Sequence, residues 1–335
     1  MTATAETPHP RDVFDYKDGS GAEQAFLDAQ ARGRLHHAWL LCGPEGVGKA
    51  TFAYRAARRL LGAAPDPARG LLGAAPNDPV CRQVASQSHP DLLVLERAVE
   101  DGKTKKFIAV DDARRMPEFF SKAPGSAPFR VAIIDSVDEM NINAANAVLK
   151  TLEEPPERGV IFLVSHAPGK LLPTIRSRCR RLTFASWSEE RAAAFVIDRT
   201  GLDADRAARL AQMARGAPGR ALALAQRGAL EVDQTVADLL GNLPATDEAA
   251  LLALADTFRG AEGAERFATV LERLAEQVRE RALAAAAVRA GVAVDRWAAL
   301  WERLTALPAE VDAVNLDRAD AFWSVIADLK AAARL

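Results

Sequence analysis

Along the first half of the chain, apolar residues gather in short runs separated by longer, mixed stretches. Trp39-Leu40-Leu41-Cys42 stops at Gly43, and Arg130-Val131-Ala132-Ile133-Ile134-Asp135 and Val160-Ile161-Phe162-Leu163-Val164-Ser165 end as abruptly. Each run is short and rich in β-branched or large apolar residues, as expected of a buried strand. Helical stretches lie between them, among them residues 50–61 and 143–152. Strands alternating with helices predict an α/β domain on a parallel sheet covered on both faces. From Ser188 to about Arg227 the pattern turns helical and arginine-rich, interrupted by Gly216-Ala217-Pro218-Gly219. Beyond residue 231 there is no strand signal. Phe267, Val270, Leu271, Leu274 and Val278, and later Leu300, Leu304 and Leu307, recur at helical spacing in an Ala/Leu-rich stretch that predicts a helical bundle. The expected organisation is a flexible tail over 1–19, an α/β domain over 20–186, a small helical domain over 187–230 and a helical domain over 231–335.

Composition narrows this only a little. With 335 residues, 49% of them hydrophobic and 26% charged, the chain has apolar material for more than one core. A net charge of -2 argues against a protein that grips nucleic acid over its whole surface, though not against a local basic patch. Cys42, Cys81 and Cys179 are odd in number and far apart, which predicts no disulfide framework and a cytoplasmic setting. The stretch Met1 to Arg11 is polar and carries two prolines, unlike a signal peptide. No apolar run approaches the roughly 20 residues of a membrane span, so no membrane partner is expected.

Candidate chemistry begins where the first strand ends. Gly43-Pro44-Glu45-Gly46-Val47-Gly48-Lys49-Ala50 has the spacing of a phosphate-binding loop between a strand and a helix. Gly43, Gly46 and Gly48 let backbone N–H groups turn toward phosphate oxygens, and Lys49 supplies a point charge. The last position is wrong: the motif needs a Ser or Thr hydroxyl for Mg²⁺, and Ala50 has none. Thr51 is rotated by about 100° along the helix and does not substitute. Asp135 ends a strand where a second, metal-side carboxylate would lie, but Ser136 follows it where an ATPase of this kind carries a glutamate to activate water. Asp138 and Glu139 are expected to point elsewhere if a helix begins there. Two independent defects in one site predict a chain that does not hydrolyse ATP efficiently by itself. Whether ATP or ADP still binds the degenerate loop stays open at this level.

Several segments together resemble one family. Asn141 to Pro156, with Ala147-Val148-Leu149-Lys150-Thr151-Leu152-Glu153-Glu154-Pro155-Pro156, is similar to the signature helix of bacterial DNA polymerase III clamp-loader subunits. So are Leu171-Leu172-Pro173-Thr174-Ile175-Arg176-Ser177-Arg178-Cys179, Arg34-Leu35-His36-His37-Ala38 and Ser88-His89-Pro90-Asp91-Leu92. The likeness covers residues 20 to 230 and is weaker beyond. It implies an AAA+ domain, a helical lid and a helical collar that joins other subunits in a ring. It also implies an arginine finger at Arg178, offered to ATP on a neighbour, and a nucleotide-facing arginine at Arg220. Ser165 would hold the strand-end sensor position, His166 a local hydrogen-bonding role and Cys179 a packed one. Many members carry a four-cysteine zinc module after the first helix. Here residues 62–89 contain Cys81 alone, so no zinc is expected. The resemblance implies gamma/tau and delta subunits as partners, with the sliding clamp and primed DNA reached through the complex. An intact Ser177-Arg178-Cys179 beside a damaged ATP site points to the family's stator. The alternatives are an active gamma/tau-type ATPase, which Ala50 and Ser136 oppose, and an unrelated P-loop enzyme, which leaves the Ser-Arg-Cys element unexplained.

Overall fold

A computed structural model of the chain describes residues 8–16, 19–100, 103–243, 247–288 and 291–333. In chain order the first elements are α1 (Ala22–Ala31), β1 (Ala38–Cys42), α2 (Lys49–Leu60), α3 (Pro79–Ala85) and β2 (Leu92–Glu96). A small antiparallel ribbon of β3 (Val99–Glu100) and β4 (Lys103–Thr104) follows, then α4 (Val110–Ser121), β5 (Arg130–Asp135), α5 (Ile142–Glu153), β6 (Gly159–Ser165), α6 (Pro173–Ser177) and β7 (Arg180–Thr183). The rest is helical: α7 (Glu189–Thr200), α8 (Ala204–Met213), α9 (Pro218–Gln226), α10 (Ala229–Gly241), α11 (Glu248–Asp256), α12 (Gly260–Ala287), α13 (Gly291–Val314) and α14 (Arg318–Ala333).

Five parallel strands form one sheet in the order β2-β5-β6-β1-β7, giving an α/β domain. Alternate residues of each strand feed opposite faces. Trp39, Leu41, Val131, Ile133 and Phe162 join Phe26 and Phe52 on one side. Leu40, Cys42, Ala132, Ile134 and Leu163 meet Val148 and Leu152 of α5 on the other. The three strands evident from sequence are the central ones, buried along nearly their whole length. The two missed are the outer strands, where β2 alternates in burial and β7 is Arg-Arg-Leu-Thr with three of four residues exposed.

The start of the chain differs from the expected tail. Residues 1–7 and 17–18 of that tail lie outside the described residues, but 8–16 form a strap held on α2. Arg58 is buried, donates to the carbonyls of Val13 (3.1 Å) and Arg11, and stacks on the Phe14 ring at 4.0 Å. Arg55, also buried, donates to Phe14 O (2.5 Å) and Arg69 O (2.8 Å) while pairing with Glu23 at 2.6 Å. Buried guanidinium groups need acceptors, and the strap's backbone supplies them.

Two compact units divide the chain, Met1–Leu222 and Ala223–Leu335. The division between these units falls at Leu222/Ala223, not near residue 187. Trp187 N–H donates to Gly216 O (2.9 Å), and Ala217 lies in the same buried cluster as Phe52 and Phe184. In the second unit all described elements are helices, and Phe267, Val270, Leu271, Leu274, Val278, Leu300, Leu304 and Leu307 form its buried face. Within that core Arg273 and Asp233 make a buried pair at 2.9 Å, joined by Gln277. Along the described residues no helix is long and apolar enough to cross a membrane.

Candidate functional site

The parallel sheet brings the ends of β1, β5 and β6 to one edge. Cys42 is in register with Ser165, and Asp135 with Val164, so the phosphate loop, Asp135 and the end of β6 converge there. Gly43 N–H donates to Ser165 O (3.3 Å), and Gly48, at φ 94°, starts α2. Lys49 is 3% exposed. Its ammonium donates to Gly43 O (2.6 Å), to Pro44 O and to His166 Nδ1 (3.0 Å). An ammonium has three N–H donors, and these three acceptors engage all of them. Burial, reinforced by Lys49, holds His166 below the usual imidazole range, which keeps the ring neutral and able to accept.

Gly46 is where the helical segment meets the loop. Its carbonyl accepts the N–H of Gly219 at 2.8 Å. A Cβ on Gly46 would lie 2.4 Å from the backbone nitrogen of Arg220. Only glycine permits that approach, since a backbone atom cannot give way as a side chain can. Arg220 therefore stands at the start of α9, directly over the phosphate loop. On the far side of the loop, the Tyr16 ring of the strap lies against Gly48.

Asp135 sits at this edge as expected. Burial, with Glu139 and Glu96 nearby, raises its carboxyl to about 6. Ser136 is buried. Asp138 corrects the sequence expectation, because it faces the site rather than away from it. It accepts from Ser165 Oγ (2.9 Å) and from the N–H groups of His166 and Ala167. The 3-10 turn Val137–Glu139 sets that direction, and spacing alone could not show it. Glu139 instead pairs with Arg97 at 3.0 Å.

Lys49 gives the site a measurable pH signature. Burial outweighs the pull of Asp135 and Glu45 and lowers its ammonium to about 8, against 10.5 for an ordinary lysine. Between those two values the unfolded chain binds more protons than the folded one, so stability rises with pH across that window. At 1.36 kcal/mol per pKa unit the charged form costs about 3 kcal/mol at pH 7. Unfolding free energies of wild type and Lys49→Met should therefore diverge in slope from pH 8 to 10.5, the wild type gaining stability relative to the variant. Parallel profiles would contradict the assignment.

Arg178 lies at the other edge. Arg180, in register with Trp39, opens β7, so Arg178 lies just before the start of that strand, whereas the phosphate loop follows the end of the parallel neighbour β1. It caps α6, donates from Nη1 to Thr174 O (3.1 Å), and pairs through Nη2 with Glu153 Oε1 at 3.0 Å. Arg176 and Arg181 flank it, while Arg180 stacks over Trp39 at 4.9 Å. Burial pushes the Cys179 thiol up to about 12, so it is a neutral packing group next to Ile175 and Leu171 and no nucleophile. Thus Gly43, Gly46, Gly48, Lys49, Asp135 and Arg220 come together, and Arg178 does not join them.

Residues 20–188 match the family described as DNA polymerase III, delta subunit. The chain is 39% identical over 158 residues to DNA polymerase III subunit delta' of Pseudomonas aeruginosa, covering 47% of this chain and 46% of that protein. It is 31% identical over 222 residues to the subunit delta' of Escherichia coli, covering 66% of this chain and 64% of the relative. It thus spans less than two thirds of the length of these relatives. Among solved structures, a DNA polymerase III gamma subunit-related protein from Thermotoga maritima aligns at 18% identity and a TM-score of 0.41, covering 92% of this chain and 100% of that one.

Proposed function

The chain belongs to the DNA polymerase III delta-subunit family, and from that premise we propose that it is the delta-prime subunit of a clamp loader, a stator that fires no ATP itself. It completes a neighbouring ATPase subunit with Arg178 while the sliding clamp is loaded onto primed DNA. One observation carries the reading. Arg178 and the phosphate loop stand at opposite ends of the neighbouring strands β7 and β1, which supports a nucleotide touched by Arg178 being held by another molecule. A guanidinium suits that task, being always charged and presenting a planar fork to phosphate oxygens. Gamma/tau and delta subunits are the partners this implies, with clamp and DNA met through the complex, in the cytoplasm.

Silence at the chain's own site has three supports. Ala50 offers Mg²⁺ no oxygen, Ser136 cannot act as a base, and Lys49 has its donors engaged by Gly43, Pro44 and His166. Gly43, Gly46, Gly48, Lys49, Asp135 and Arg220 are read as the remains of a nucleotide site, one that requires no cofactor and no zinc for the stator role. An active gamma/tau-type ATPase would need both missing groups. The test is turnover by the purified chain alone and by the loader assembled with and without it. Background activity alone, together with a loader that needs the chain for clamp-stimulated turnover, supports the stator. Turnover by the isolated chain at a motor subunit's rate would refute it.

A further inference from the structure

Glu153 closes the signature helix without a task of its own there, yet it touches the one residue that the proposed function places on a neighbour's nucleotide. We infer that Glu153 is a positioning residue for Arg178, holding the guanidinium in one outward orientation before the neighbour arrives. The inference rests on Arg178 acting as a finger in trans. An arginine has many rotamers, and freezing them at the moment of catalysis opposes the reaction. A side chain ordered beforehand avoids that cost, which is the general advantage of preorganisation.

The geometry has the parts this needs. Glu153 is the last residue of α5, next to Leu152, which is 2% exposed. Arg178 caps α6, between the buried Ile175 and the packed Cys179. Leu152, Leu171 and Ile175 belong to one core cluster, so both backbones are fixed by the same packing. The carboxylate takes Nη2 at 3.0 Å and the Thr174 carbonyl takes Nη1 at 3.1 Å. Two contacts on different nitrogens define the plane of the guanidinium as well as its place. They use two of its five N–H donors, leaving three for a phosphate. Arg178 stays 36% exposed on its side chain, so the held pose is reachable from outside.

An ordinary surface ion pair would show up, if at all, in stability and not in turnover. The discriminating measurement is clamp- and DNA-stimulated ATP hydrolysis by the loader assembled with Glu153→Ala, Glu153→Gln, Arg178→Ala and the double variant Glu153→Ala/Arg178→Ala. Glu153→Ala should lower kcat for the completed site by about fivefold with KM for ATP and assembly unchanged. Glu153→Gln, which keeps an acceptor oxygen, should recover part of the loss. On the Arg178→Ala background, Glu153→Ala should do nothing more. An unchanged or raised kcat in Glu153→Ala, or an equal loss with and without Arg178, overturns the inference while leaving the finger intact. If Arg178→Ala is itself without effect, the finger reading fails and this inference falls with it.

Discussion

In the assembled loader, Arg178→Ala is expected to slow hydrolysis at the one site it completes by roughly 10³-fold or more, the range over which arginine fingers act. The size follows from what the side chain would do there. As the γ-phosphoryl leaves, negative charge grows on its oxygens, and a fixed cation beside them is favoured more in the transition state than in the ground state. If other sites are completed by fingers of their own, steady-state turnover falls only by this site's share. The sharper readout is a pre-steady-state burst, in which the variant complex should hydrolyse one ATP fewer. Arg178→Lys keeps the charge but not the planar fork, and it should recover only part of the loss. An unchanged burst in Arg178→Ala would place the finger elsewhere.

The second large effect concerns folding. Asp91 is fully buried and accepts from the N–H groups of Gly125 (2.9 Å), Ser126 (2.9 Å) and Ala127 (3.1 Å), with Arg130 Nε at 3.3 Å. It therefore shapes the turn between α4 and β5, the strand that ends in Asp135. Burial alone would raise its carboxyl, but those N–H groups and Arg130 outweigh burial and hold it below the usual range. Asp91→Ala leaves three backbone donors without their acceptor and Arg130 without its carboxylate, the guanidinium keeping the carbonyls of Ala123 and Phe119. Removing one partner of a buried charged pair costs about 3–5 kcal/mol, and chemical denaturation should show a loss of that order. The lowered carboxyl also sets a pH dependence: its contribution is present above the unfolded value of 3.8 and is lost as pH falls below it. A variant within 1 kcal/mol of wild type, a surface-like effect, would show that the turn holds without Asp91.

What the sequence made legible is what depends on side-chain type along the chain. Central strands read clearly because both of their faces are buried, and the phosphate loop because its glycines are required by backbone geometry. The outer strand β7 was hidden, since Arg180-Arg181-Leu182-Thr183 lacks the apolar signature that burial on two faces imposes. The strap at residues 8–16 was read as loose because part of its hold runs through the carbonyls of Arg11, Val13 and Phe14, which every residue possesses, and its side-chain partners lie far away in sequence. Asp138 was misjudged for a related reason, a short 3-10 turn deciding where its carboxylate points. Ala50 and Ser136 were visible as departures from the phosphate-loop pattern. The engagement of Lys49 by His166, 117 residues away, was not.

The two edges of the sheet give the subunit a direction. A protein with a nucleotide end and a finger end joins its like head to tail, and each joint pairs one end of each kind. A member whose nucleotide end is inert can serve the joint on one side only. It is a terminator: inserted at the end of such an arc it fixes the number of working joints, and inserted in the middle it would break the series. On the proposed reading, Ala50 and Ser136 would set where along the arc hydrolysis stops, and the opening left there would be a defined gap rather than one more identical seam.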